Sequence, residues 1–186
     1  MNNGYVMLAL RASGIIAITL AWIVIGLAVR FNPWFDLFKH ALSDLGTDRA
    51  FMPQIYNYGL IMTAFFIILF SVYLTIKARN KAETFAGAYL SIAGIFLALI
   101  GVFPGGTKPH TFVSTWFFIQ AQLSVLMKSI GSLMKHRKRV AVLLLLIFML
   151  AILGGTLKWP SVALEEVFEV ILLDIYVVLE VLDITS

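Results

Sequence analysis

Apolar and charged positions fall along this chain in long blocks, and the blocks define its elements. A helix that crosses the ~30 Å hydrocarbon layer of a bilayer needs about 20 mostly apolar residues. Between Arg11 and Arg30 lie 18 uncharged residues; Ala50–Ile76 holds 27, Thr84–Thr107 holds 24, the interval from Lys108 to Lys128 holds 19, and Val140–Leu157 holds 18. A last run, Ser161–Ile184, is interrupted by Glu165, Glu166, Glu169, Asp174, Glu180 and Asp183, yet Val162–Leu182 is otherwise almost entirely Val, Leu, Ile, Ala and Phe. The pattern predicts an all-α, polytopic membrane protein with one domain over residues 1–186. Its six transmembrane helices would cover about 12–29, 54–76, 84–104, 111–133, 140–157 and 161–182. The first run is too long, and lacks the small-residue site, for a cleaved leader; it reads as an anchor.

A second periodicity sits between the first two spans. Trp34, Leu37, Phe38, Ala41, Leu42 and Leu45 recur at the spacing of one helical face, with Asp36, Lys39, His40, Ser43 and Asp44 opposite. Pro33 suits a first helical turn and Gly46 the residue past the end. The expectation is a short amphipathic helix over about 34–45, lying on the outer leaflet with its apolar side down.

Composition agrees with the span count: 61% of residues are hydrophobic, 13% are charged, and mean hydropathy is +0.95. With no cysteine, disulfides, thiolate catalysis and cysteine-ligated metals are excluded. Charge sets the orientation. One side of a six-span layout receives nine Lys and Arg: Arg11, Lys77, Arg79, Lys81, Lys128, Lys135, Arg137, Lys138 and Arg139. The other side receives Arg30, Lys39, Arg49, Lys108 and Lys158, so both termini are expected in the cytoplasm of a multi-pass cell-membrane protein. The basic run at 135–139 reads as this topology signal or as a patch for anionic lipid heads, and neither asks for nucleic acid. Trp34, Trp116 and Trp159 fall at the outer boundary, where amphipathic rings prefer to sit.

Two groups of polar residues carry candidate chemistry. His40, Ser43 and Asp44 are spaced to share one helical surface, and His110 in the breaker-rich loop 103–110 emerges on the same side. His40, Asp44 and His110 would suffice for an open site for one metal ion such as zinc, with Ser43 or a metal-bound water as nucleophile. The alternative is a solvated polar face, with Asp44 paired to Arg49 or a backbone amide and His110 at the start of the next helix. In the sixth span, Glu165, Glu166, Glu169, Glu180 and Asp183 fall within one arc, and Asp174 lies off it. Carboxylates at membrane depth turn to a bundle interior, a water-filled path or a partner. Three readings follow: a proton or cation path through Glu169 and Asp174, pairing inside the bundle (Lys128 with Glu180), or contact with another membrane subunit. Gln120, Gln122, Ser91 and Asn57 are polar groups that join helices, and Gly87 and Gly94 permit close approach.

The stretch Ala41-Leu42-Ser43-Asp44-Leu45-Gly46, followed by Ile55-Tyr56-Asn57-Tyr58-Gly59-Leu60, resembles the prokaryotic membrane-protein family catalogued as domain of unknown function 998. Gly101-Val102-Phe103-Pro104-Gly105-Gly106, with His110 and Phe117-Phe118, is similar to that family's third loop and fourth helix. The Ser-Asp-x-Gly segment is also similar to the eukaryotic Frag1/DRAM/Sfk1 group. The resemblance implies the six-span fold and directs attention to the two outer loops, and it carries no activity.

No internal repeat and no phosphate-loop, dinucleotide or nucleophile-elbow motif appears. The leading expectation is therefore a non-catalytic protein acting by contact, as an accessory subunit of a membrane complex or a lipid-interacting scaffold whose partners are membrane lipids or subunits docked on the sixth helix. The rivals are a metal-dependent hydrolase of lipid headgroups at the outer leaflet and a proton or cation path along the sixth helix.

Overall fold

The structure, a computed structural model, describes residues 3–182. Six α-helices follow one another: α1 (Asn3–Phe31), α2 (Pro53–Lys77), α3 (Lys81–Val102), α4 (His110–Met134), α5 (Lys138–Gly154) and α6 (Val162–Val181). A 3-10 helix, Leu42–Gly46, stands between α1 and α2, and no strand occurs among the described residues. Helices α1 to α4 are each long and apolar enough to cross a membrane. At ~1.5 Å per residue the 17 residues of α5 rise about 26 Å, just short of the hydrocarbon thickness, and α6 carries its carboxylates along its length.

Local chemistry sets the boundaries. Pro53 opens α2, its missing N–H falling where no helical acceptor exists. The Asn80 side chain accepts the Glu83 N–H at 3.0 Å to cap α3, while the Glu83 carboxylate accepts the Arg79 N–H at 2.8 Å. Ser161 caps α6 by accepting the Leu164 N–H. The tight α4–α5 turn places His136 at φ 59°, a left-handed conformation.

Neighbouring helices in sequence pack side by side, most closely α2 with α3 and α3 with α4, and α6 returns to contact α1 and α5 less closely. Gly87 and Gly94 of α3 do what small residues do between membrane helices. A Cβ on Gly87 would come within 3.0 Å of the Thr75 backbone nitrogen, and one on Gly94 within 2.6 Å of Ile68.

The loop between α1 and α2 departs from expectation. In place of an amphipathic helix over 34–45, the chain makes turns and then the 3-10 helix. Short polar side chains compete for the backbone bonds a helix would need. Asp36 Oδ1 accepts the Phe38 N–H, His40 Nδ1 accepts the Asp36 N–H, and Asp44 Oδ2 accepts the Ala41 N–H. Nor does the apolar face lie on a lipid surface. Leu42 is 4% and Leu45 0% exposed, packed into the cluster that includes Tyr56, Leu60, Ile100, Phe117 and Ala163. Burial between helices removes more apolar surface from water than the membrane interface would.

Candidate functional site

The α1–α2 loop is fastened to the start of α6. The Ala163 N–H donates to the His40 carbonyl at 2.9 Å, the Ser161 hydroxyl to the Leu37 carbonyl at 2.5 Å, and the Leu42 N–H to Glu166 Oε2 at 2.6 Å. Asn57 on α2 donates to the Gly46 carbonyl at 2.9 Å. A buried Asn32 joins the loop's two ends: it donates to the Ala28 and Phe51 carbonyls and accepts from the Phe51 N–H and the Trp34 indole. The loop is a plug set into one end of the bundle. Its exposed tip holds the Asp36–Lys39 pair at 2.9 Å, and the Lys39 ammonium, with the Phe38 N–H, holds the Asp36 carboxyl below its usual range.

His40, Asp44 and His110 do not form the expected metal centre. Among the described residues no three His, Asp or Glu side chains are grouped to hold a metal ion. Each has local work instead. The His40 ring lies 5.3 Å from Trp34 and 5.7 Å from Phe35, Asp44 caps the 3-10 helix, and His110 opens α4 with Nδ1 2.8 Å from the Phe103 carbonyl. Arg49 is not paired with Asp44 and sits over the Trp34 ring at 4.5 Å.

The carboxylates of α6 turn inward. Glu169 accepts from Gln122 of α4 at 3.1 Å, both buried; Asp174, off the arc of the others, accepts from the Trp22 indole of α1 at 2.7 Å; Glu180 meets Lys128 of α4 at 2.9 Å. Glu83 completes that last cluster, 3.7 Å from Lys128 and 3.3 Å from Lys135. The Ser124 and Tyr176 hydroxyls, 3.1 Å apart, lie between, so α4 and α6 face each other through three polar pairs. Arg11 reaches the carbonyl of Val181 at the C-terminal end of α6, where a cation complements the helix dipole. Asp183 lies outside the described residues.

Beneath the plug, α1, α2, α3, α4 and α6 border a partly open cavity. Its walls are almost wholly apolar, from Gly14, Ala17 and Ala21 on α1 to Leu60 and Ile67 on α2, Phe117 on α4 and Leu173 on α6. Polar groups gather at the plug end, Ser43 from the plug, Tyr56, His110, Ser114 and Glu166, while Thr63, Asp174 and Tyr176 are polar lining deeper in. The sequence reading named Ser43, His110 and Glu166 and missed Tyr56, whose position at the start of a span marks it only as a boundary aromatic. It also missed Asn32 and Glu83; the Asn80-x-x-Glu83 spacing, close to a capping box, was the available sign for the latter.

The protein family described as protein of unknown function DUF998 matches residues 15–182, nearly the whole chain, and the chain belongs to that family. No curated protein and no solved structure matches it.

Proposed function

Starting from a DUF998 membrane protein, we propose a non-catalytic, lipid-interacting scaffold that crosses the bilayer six times and holds a membrane lipid in its central cavity. The observation that carries this reading is the cavity itself: mostly apolar walls inside a bundle, with Ser43, Tyr56, His110, Ser114 and Glu166 gathered at one end and only Thr63, Asp174 and Tyr176 as polar lining deeper in, the last two bonded to Trp22 and Ser124. Binding sites for small amphiphiles are concave, mostly apolar and fixed by a few polar groups, which is this arrangement. The rival readings have less to support them. A metal-dependent headgroup hydrolase built on His40, Asp44 and His110 needs them together, and among the described residues no three such side chains are grouped. An accessory subunit docked through α6 rested on carboxylates in need of a partner, and Glu169, Asp174 and Glu180 find theirs within the chain.

Six crossings follow from counting α5 and α6 with the four long helices. The apolar run of α5 continues to Leu157, and the carboxylates of α6 are bonded to other helices rather than facing lipid. Nine cations against five then put both termini in the cytoplasm. The test of function is native mass spectrometry on chain extracted gently from its own membranes. About one retained lipid per chain is the expected result; a lipid-free chain, or one whose only companion is another protein subunit, overturns the reading.

A further inference from the structure

Resting on the lipid-holding reading, we infer that the occupant is an ammonium-bearing glycerolipid, one acyl chain in the cavity and its head at the outer end beside Ser43, Tyr56 and Glu166. The hydroxyls of Ser43 and Tyr56 line the cavity and have no hydrogen-bond partner among the described residues, although Ser43 is 9% and Tyr56 only 6% exposed. Both residues are buried in the fold while no group among the described residues takes up their hydroxyls, which leaves these free to bond an occupant of the cavity. Two donors pointing into an apolar cavity suit the ester or phosphate oxygens of a lipid head.

Charge decides the rest of the head. Glu166 gives one oxygen to the Leu42 N–H, and Asp44 and Glu165 are its charged neighbours. Among the described residues no Lys or Arg stands within ion-pair distance of any of these three carboxylates, whereas Glu83 and Glu180 at the other end of the bundle both have lysines. Glu166 at the mouth, with Asp44 and Glu165 beside it and Asp174 deeper in the mostly apolar wall, favours a cationic group and disfavours an anionic one. The depth is right for a chain: on α1 the lining runs from Gly14 to Ile25, about 16 Å at 1.5 Å per residue, close to the ~15 Å of one leaflet's hydrocarbon.

The experiment offers delipidated full-length chain dioleoyl phosphatidylethanolamine or dioleoyl phosphatidylglycerol, identical in chains and phosphate, and reads retention by native mass spectrometry. Wild type should retain the ethanolamine lipid about tenfold better, the scale of one charge-assisted hydrogen bond. Glu166→Gln keeps an acceptor for the Leu42 N–H, so the plug stays fastened, and the preference should fall to within about twofold. Tyr56→Phe removes a hydroxyl that has no protein partner and should weaken both lipids several-fold without loss of fold. Ala21→Phe fills the cavity and should abolish both. Equal retention of the two lipids by wild type, or an undiminished preference in Glu166→Gln, overturns the ammonium assignment and leaves the lipid reading standing. No retention of either lipid, or wild-type retention by Ala21→Phe, overturns both.

Discussion

Lys128 of α4 and Glu180 of α6 meet at 2.9 Å with side chains only 8% and 3% exposed, and this pair fixes the otherwise loosely packed last helix to the middle of the bundle. Lys128 also faces Glu83, and Lys135 completes a cluster of two carboxylates and two ammoniums. Such a cluster stabilises only while its charges balance; removing one partner leaves a buried charge exposed to low dielectric, at about 3–5 kcal/mol. Lys128→Met should therefore lower stability by about that amount, whereas Lys128→Met combined with Glu180→Leu, which leaves Glu83 with Lys135, should recover most of it. Thermal unfolding in detergent, followed by the fluorescence of the four tryptophans, reads both variants. A Lys128→Met chain that melts with wild type removes the ion cluster from the account of how α6 is held.

Asn32 is 1% exposed, and its side chain makes four hydrogen bonds that close the ends of the first outer loop. Asn32→Leu keeps the branched shape and strands the partly buried Phe51 N–H and Trp34 indole, each unmet group costing up to about 1–3 kcal/mol. The expected outcome is a loss of about 3 kcal/mol and much faster hydrogen exchange at the Phe51 amide. Unchanged exchange there would mean the loop closes by packing alone.

What the sequence made legible, and what it hid, divides along the range of the interactions. Long apolar runs, five uncharged and a sixth apolar between its carboxylates, favour helices whatever their neighbours, so all six helices were readable, with α1 to α4 long and apolar enough to cross a membrane. The Lys128–Glu180 pair was readable because two charges at the same depth of neighbouring spans have few other places to go. The 34–45 segment misled because its spacing is helical while its polar residues, Asp36, His40 and Asp44, bond their own backbone, and Leu45 gains more by entering the bundle than by lying on it. The cavity was invisible in sequence. Ala17, Ala21 and Leu60 read as ordinary span residues, and only the way five helices diverge shows that they border free space.

The same local bonding yields a prediction about metal. His40 Nδ1 is occupied by the Asp36 N–H, Asp44 by the Ala41 N–H, and His110 Nδ1 lies at the Phe103 carbonyl. These contacts hold the three side chains at separate places, and among the described residues no three His, Asp or Glu side chains are grouped to hold an ion, so a shared site would require the plug to rearrange. Calorimetric titration of the purified chain with zinc should give the same weak, unsaturable heat for wild type and His110→Ala. One tight equivalent in wild type that disappears in His110→Ala would restore the hydrolase and its metal site.

Topology tests the six crossings directly, because the chain has no cysteine and any introduced one is unique. Phe38→Cys, at a position 63% exposed on the first outer loop, should react with an impermeant thiol reagent added outside intact cells. Arg137→Cys, exposed in the turn between α4 and α5, should react only after permeabilisation, and the substitution still leaves eight cations against five to hold the orientation. The decisive position is Leu157, 62% exposed between α5 and α6. If α5 and α6 both cross, Leu157→Cys reacts from outside together with Phe38→Cys. If only α1 to α4 cross, α5 and α6 lie on the cytoplasmic side, and Leu157→Cys reacts from within, like Arg137→Cys. That second outcome would also detach Glu166 from the outer plug that its bond to Leu42 requires, so external reactivity at residue 157 is expected wherever the 2.6 Å contact between them is kept.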